Sequence, residues 1–189
     1  LGGVFPLLWP PLFGGGAYVG TVPPQVRMRC VSDRCPNRHT WIGYYDKEVF
    51  SRDGAMVVAM GVDFEMRSPG VDDCAAIGII HLESGEWTSI GTSRGAWSWQ
   101  QGCMAQWIDG DAVVWNDRAG DGHCVSRTYS LTTGAVREHH RPIYCMVGPT
   151  AALTLDFCSL QRVRPGYGYP GTPTGSPGQV WWTDLSGKA

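Results

Sequence analysis

Three stretches of the chain end in the same way: Ile77-Gly-Ile-Ile-His-Leu-Glu-Ser-Gly85, Arg127-Thr-Tyr-Ser-Leu-Thr-Thr-Gly134 and Val180-Trp-Trp-Thr-Asp-Leu-Ser-Gly187. Each stretch reads as a β-strand that closes on a leucine, followed by one or two polar residues and a glycine. The glycine supplies the positive φ that a tight hairpin turn requires. A further strand follows the first two endings, at 87–90 and 136–139. The pattern therefore predicts repeated β-hairpins.

A companion strand precedes each ending, within residues 50–60, 106–115 and 149–157, and the closing glycines are 49 and 53 residues apart. A period near 50 with four strands per unit is typical of propeller blades. We therefore predict an all-β fold, a β-propeller of about three four-stranded blades at residues 39–95, 96–143 and 144–189. A β-sandwich with irregular loops is the alternative.

Three units are fewer than the roughly 4–8 blades of a closed propeller. The sequence thus predicts a fragment of a ring of roughly six to eight blades. Missing blades or self-association are expected, because an open propeller leaves strand edges that invite pairing. Residues 1–38 are a poorly specified N-terminal segment. Prolines and glycines interrupt its apolar start, so neither a membrane helix nor a signal peptide is predicted.

The composition excludes several function classes. The formal net charge is −2 with no block of like charge, so no nucleic-acid partner is predicted. No membrane partner and no cofactor are expected, and the compartment is left open. Cys30 and Cys35, with His39 as a third member, do not complete a zinc-binding set, so no metal is predicted. Four other cysteines next to apolar residues are expected to be buried free thiols: Cys103, Cys124, Cys145 and Cys158.

Three motifs occur in a fixed order along the chain. The first is Gly43-Tyr44-Tyr45-Asp46, followed by Phe50-Ser51-Arg52-Asp53-Gly54; the others are Gln101-Gly-Cys-Met-Ala-Gln-Trp107 and Arg164-Pro-Gly-Tyr-Gly-Tyr169. The chain resembles TolB-like propellers, and more closely a bacterial family of propeller proteins that shares these motifs. Arg52 stands where the TolB-like blade motif usually has proline. The resemblance implies an architecture and no reaction.

Aromatic and amide side chains supply the candidate ligand-binding residues. Tyr44 and Tyr45 lie in the first motif, Trp99 and Gln100 directly precede the second, and Gln101 begins it. Flat rings stack on sugar rings, and glutamine both donates and accepts hydrogen bonds. The chain is accordingly predicted to be a binding or scaffold module that presents aromatic-rich loops to a carbohydrate or protein ligand.

A carbohydrate-active enzyme, either a polysaccharide lyase or a glycoside hydrolase, is the alternative function. It would use His39 as base, Asp46 as orienting acid and Arg118 as partner of a substrate carboxylate, at the central face of the propeller. Asn116, Asp117 and Asp121 offer oxygen ligands for a cation, but they lack the spacing of a calcium loop and favour a polar turn. Convergence of the three catalytic candidates on one pocket favours the enzyme, and separate locations favour a binding module.

Overall fold

The computed structural model describes residues 27–173 and 178–186. The chain divides into two units, Leu1–Cys30 and Val31–Ala189, and every element described below belongs to the second. Most of the predicted N-terminal segment lies outside the described residues. No helix in the described part is long and apolar enough to span a membrane.

Eleven strands in the described residues form three antiparallel sheets, each made of consecutive strands. The first sheet holds β1 (His39–Trp41), β2 (Met56–Val62), β3 (Cys74–His81) and β4 (Trp87–Arg94). The second holds β5 (Gln106–Ile108), β6 (Ala112–Arg118), β7 (Cys124–Ser130) and β8 (Val136–His139). The third holds β9 (Cys145–Val147), β10 (Ala151–Leu155) and β11 (Val180–Asp184).

The all-β, propeller-type prediction is confirmed, and the sandwich alternative is not needed. Strand neighbours within each sheet are always consecutive in the chain, as in blades, whereas a sandwich distributes its strands over two sheets by Greek-key connections. Two details were not predicted. The third sheet has three strands among the described residues, and a short helix, α1 (Phe157–Val163), follows β10. Asp156 begins this helix by accepting hydrogen bonds from the Cys158 and Ser159 amides, both at 2.9 Å.

The repeated leucines occupy equivalent positions in the three sheets. The amides of Leu82, Leu131 and Leu185 donate to the carbonyls of Ala55, Asp111 and Thr150 at 2.9, 2.9 and 2.6 Å. Each acceptor is the residue directly before the second strand of its sheet. The sequence repeat is therefore also a repeat of hydrogen bonding, and it makes β11 the counterpart of β3 and β7.

The second sheet packs against both of its neighbours. Val113 and Trp115 belong to the core shared with the first sheet, and Val114 belongs to the core shared with the third sheet and α1. Alternate residues of β6 point to opposite faces, so one strand can supply both cores. Trp115 lies over Gly91, where an added Cβ would be 2.6 Å from the indole, and its Nε1 donates to the Thr92 carbonyl at 2.9 Å. The sheets therefore stack face to face like blades.

Candidate ligand-binding surface

One end of the first sheet carries most of the candidate residues. The strands β2 and β4 run in the same direction, so the connections that follow them, residues 63–73 and 95–105, leave the sheet at the same end, where both strands terminate. The first connection is held by Asp73, which accepts from the Arg67 guanidinium at 2.5 and 2.8 Å and from the Gly70 amide at 2.6 Å. These donors, Arg67 above all, lower the pKa of Asp73 to about 2.

Four rings, Trp41, Phe64, Trp97 and Trp99, form a cluster that we call the aromatic ledge. Trp99 lies 5.2–5.8 Å from the other three ring centroids. Its Nε1 donates to the Arg67 carbonyl at 2.6 Å, whereas the Nε1 of Trp97 donates to the Asp73 carbonyl at 3.0 Å. Trp97 is fully buried and Trp99 is half-buried. The ledge therefore holds Trp99 in place while part of the indole remains accessible.

Trp99 lies between two adjacent cavities. One has a volume of about 190 Å³ and is also lined by Gln100, Gln161 and Gly168. The other is an open hollow of about 460 Å³ formed with residues 65–68. Two amide side chains thus lie beside one indole, within reach of a ligand of a few heavy atoms. The predicted pair Trp99 and Gln100 is brought together. Gln161 is an additional residue that the sequence did not reveal, since it lies on α1, 61 residues after Gln100.

Gln101 and the tyrosine pair lie elsewhere. Gln101 is half-buried and does not line either of these cavities. Tyr44 and Tyr45 follow β1, with ring centroids 4.4 Å apart, and Tyr45 is 85% exposed. Charge on Tyr45 and a hydrogen bond with it raise the pKa of Tyr44, and Tyr167 adds to this effect. The tyrosines therefore form a second aromatic surface, near Tyr167 of the third motif.

Close packing accounts for the motif glycines. A Cβ on Gly102 would lie 2.3 Å from the Met60 Cε, and one on Gly43 would lie 3.0 Å from the Gln101 carbonyl oxygen and 3.2 Å from the same methyl group. Both glycines also have positive φ. In the third motif, a Cβ on Gly168 would lie 2.1 Å from the Phe157 carbonyl oxygen. The first two motifs therefore contact each other, and small residues are needed where backbone segments meet.

The three catalytic candidates have separate partners. The Nε2 of His39 lies 3.4 Å from the Glu65 carboxylate, and Asp46 accepts from the Lys47 ammonium at 2.8 Å. Arg118 donates to three backbone carbonyls, those of Gly95 after β4, Gly122 between β6 and β7, and Pro170 after α1. Arg118 lines a cavity near α1, whereas His39 and Asp46 line neither that cavity nor the two cavities beside Trp99. The three candidates therefore do not share one of these cavities.

The oxygen-bearing side chains of Asn116 and Asp117 on β6 and of Asp121 after it do not converge on a cation position. Asn116 is fully buried and bonded to Ile143, Asp117 accepts from the Arg94 amide at 2.8 Å and from Arg127 Nε at 2.6 Å, and Asp121 accepts from His123. Among the described residues, no group of three acidic, histidine or cysteine side chains is arranged to hold a metal ion. These side chains thus hold the fold together.

Burial of the cysteines differs from the prediction at one position. Cys103 and Cys158 are buried and Cys124 is half-buried, but Cys145 is exposed, so the prediction was wrong there. Cys145 lies on β9, an edge strand of its sheet, whose residues are only partly covered. An apolar sequence neighbourhood cannot indicate which strand lies at an edge.

Comparison with known proteins identifies a similar solved structure. No family model and no curated protein matches this chain. The crystal structure of TolB from Acinetobacter baumannii is similar with a TM-score of 0.42 and 12% sequence identity, covering 80% of this chain and 31% of TolB. The chain therefore spans about a third of the length of that structure. The consecutive antiparallel sheets described above, two of four strands and one of three among the described residues, make this chain an all-β protein of propeller type.

Proposed function

We propose that this chain is a binding module whose ligand site is the half-buried face of Trp99. The single observation behind this proposal is the rigid placement of Trp99: three neighbouring rings and the hydrogen bond to the Arg67 carbonyl hold the indole at the border of two cavities. An aromatic side chain that is already immobilised loses little conformational freedom when a ligand binds. Such a residue serves well as a binding anchor.

The chemistry next to Trp99 suits a carbohydrate. Sugar rings carry apolar faces that stack on indoles and hydroxyl groups that both donate and accept hydrogen bonds. The side chains of Gln100 and Gln161 border the same cavity as Trp99 and meet the second requirement. The alternative ligand is a protein segment that inserts an aromatic side chain into this cavity and stacks it on Trp99.

The test is binding of a panel of neutral and acidic oligosaccharides, measured by calorimetry on the whole chain. For a sugar that binds, Trp99→Ala is expected to weaken affinity roughly tenfold, which corresponds to about 1.4 kcal/mol. Trp99→Phe retains a ring and is expected to lose less. Phe50→Ala is the matched control, because Phe50 is 53% exposed and lines neither cavity beside Trp99. A near-native circular dichroism spectrum must accompany each variant.

Two results would contradict the proposal. If Trp99→Ala and Phe50→Ala bind every sugar as the unmodified chain does, the ledge is not the site. If Trp99→Ala unfolds while Trp99→Phe is native and binds no differently, Trp99 is a core residue. Tyr45→Ala tests the second aromatic surface in the same assay, and the fold is expected to persist because Tyr45 is 85% exposed.

We also propose that the chain belongs to the bacterial propeller family whose motifs it shares. Support comes from the packing of the motif glycines: Gly43 and Gly102 both contact Met60, and Gly168 contacts the start of α1. Substitution of Gly102 by alanine is expected to destabilise the fold, because the new Cβ overlaps the Met60 side chain at a residue of positive φ. A Gly102→Ala variant as stable as the unmodified chain would remove this packing reason for the motif.

Further blades, or a second copy of this chain, are proposed to pack on β11. The counterparts of this strand, β3 and β7, are covered by β4 and β8, whereas β11 pairs only with β10 in the described residues. Val180, Trp181 and Trp182 are 59%, 38% and 63% exposed along it. Light scattering coupled to size exclusion measures this directly. A monomer that binds no further chain would contradict the proposal, and an oligomer dispersed by Trp182→Glu would support it.

A further inference from the structure

A cavity of about 80 Å³ lies where the second sheet meets α1, apart from the aromatic ledge. Arg118 at the end of β6, Cys124 at the start of β7 and Cys158 in the first turn of α1 line it. A water molecule occupies roughly 30 Å³ in the liquid, so the cavity admits a small polar molecule and excludes a bulky one. It thus brings two cysteines, 34 residues apart in sequence, to one small space.

Cys124 and Cys158 line this cavity together, and the interaction of their thiols affects the pKa of both. The Cys158 thiol also donates to the Pro170 carbonyl at 3.6 Å. The Nη2 of Arg118 lies 3.9 Å from the Cys158 sulfur, and the same guanidinium donates to the carbonyls of Gly122, Gly95 and Pro170. Within the described residues no carboxylate pairs with Arg118 at ion-pair distance. A thiolate on Cys158 would therefore lie beside a guanidinium that has no carboxylate within ion-pair distance.

The proton is shared unequally between the two sulfurs. The hydrogen bond from Cys124, and next the Arg118 guanidinium, lower the pKa of Cys158 to about 6, although burial and the Asp156 carboxylate oppose the change. The same hydrogen bond, together with burial, raises the pKa of Cys124. The Arg118 guanidinium thus favours the thiolate form of Cys158, and burial favours the protonated form of Cys124. A nucleophile beside a second, protonated thiol is the arrangement of an attacking and a resolving cysteine.

We propose that Cys158 and Cys124 form an oxidation site that reduces a small hydroperoxide and closes a disulfide between β7 and α1. The Cys158 thiolate attacks one peroxide oxygen, the O–O bond breaks, and hydroxide leaves from hydrogen peroxide, so that Cys158 becomes a sulfenic acid. The Cys124 sulfur then attacks the sulfenic sulfur, the S–O bond breaks, and water leaves with the Cys124 proton. The peroxide is reduced by two electrons and the two thiols are oxidised to one disulfide.

The test treats the whole reduced chain with hydrogen peroxide, blocks the remaining thiols and maps peptides by mass spectrometry. We expect a linked Cys124–Cys158 peptide and the loss of two hydrogens in the intact mass. In Cys124→Ser no resolving thiol remains, so the Cys158 sulfenic acid is expected to accumulate and to be trapped by dimedone. Cys145→Ser is the matched control, because Cys145 is an exposed thiol outside the cavity, and its loss is expected to leave the linked peptide unchanged.

The pH dependence of alkylation by iodoacetamide gives a second readout. The rate of Cys158 labelling is expected to rise with pH with a midpoint at about pH 6, whereas an unperturbed thiol has a pKa of about 8.5. Arg118→Met is expected to move the midpoint upward, and Arg118→Lys to move it less. This profile depends on the environment of the thiol and not only on its exposure.

Three outcomes would overturn the proposal. The first is faster oxidation of Cys145 than of Cys158, and the second is a disulfide between two chains in place of the one between Cys124 and Cys158. The third is dimedone labelling of Cys124 in Cys158→Ser as fast as the labelling of Cys158 in Cys124→Ser. Because the first two are measured on the unmodified chain, they remain decisive even if a variant fails to fold. The test is independent of the sugar-binding assay, since Trp99 does not line this cavity.

Discussion

Asn116 on β6 joins the second sheet to Ile143 and Tyr169, which flank β9, β10 and α1, through three buried hydrogen bonds. We expect its replacement by alanine to destabilise the fold strongly. Its Nδ2 donates to the Ile143 carbonyl and to the Tyr169 hydroxyl, both at 2.8 Å. Its Oδ1 accepts from the Ile143 amide at 2.7 Å. All three residues are fully buried. Alanine would leave an N–H, a carbonyl and a hydroxyl without partners and without access to water.

The expected loss follows from these three groups. A buried polar group that loses its partner costs about 1–3 kcal/mol. Partial relaxation places the sum for Asn116→Ala at about 3–5 kcal/mol, a large share of the roughly 5–15 kcal/mol that stabilises a typical domain. Tyr169→Phe removes only the hydroxyl, and the Asn116 amide keeps its bond to Ile143. We therefore expect about 1 kcal/mol for that variant.

Urea unfolding followed by tryptophan fluorescence measures both losses. Asn37→Ala is the matched control, because Asn37 donates to the Asp63 carboxylate near the surface and a loss under about 1 kcal/mol is expected. A loss for Asn116→Ala below about 1.5 kcal/mol, or no larger than that of Asn37→Ala, would refute the reasoning. Two separate unfolding transitions in the unmodified chain would show instead that the second sheet and the third unit do not unfold together.

Two further predictions concern the first sheet. The folded pKa of Asp73 is about 2, so the contribution of its carboxylate to stability is complete above the unfolded pKa of about 3.9 and is lost as the pH falls through about 2. In thermal melts from pH 5 to 2, the difference in melting temperature between the unmodified chain and Arg67→Met should therefore shrink with falling pH. A constant difference would contradict this prediction. Gly78→Ala places a Cβ 2.2 Å from the Trp87 indole and should lower the free energy of unfolding in urea by about 1–3 kcal/mol. Gly120→Ala is the control, because its Cβ would meet nothing within 4 Å. Equal losses of unfolding free energy in the two variants would contradict the packing interpretation.

Local sequence patterns were sufficient to predict the sheets. Alternation along residues 77–81, 127–130 and 180–184 indicated strands, and Gly85 and Gly134 do have the positive φ expected of the turns. The period near 50 residues indicated blades, because each unit repeats one local hydrogen-bonding plan. The helix Phe157–Val163 was not predicted, because it has barely two turns and its apolar positions carry too little periodicity to be recognised.

The candidate surface was predicted only in part. Trp99 and Gln100 are neighbours in sequence, so their shared cavity could be anticipated, whereas Gln161 enters it from α1. The grouping of Tyr44 and Tyr45 with Trp99 as one site remains a prediction, and in the structure they lie on two loops. His39, Asp46 and Arg118 remain untested as catalytic residues.

Residue order along the chain determined the all-β class, the repeat and the turn positions, because strand alternation and hairpin geometry depend on residues a few positions apart. Tertiary structure alone decided which distant side chains meet. The contacts of Asn116 with Tyr169, of Arg118 with Cys158 and of Cys124 with Cys158 join residues 34–53 positions apart. Such contacts depend on how whole sheets stack, and stacking is set by the combined shape and burial of many side chains. No short motif carries that information.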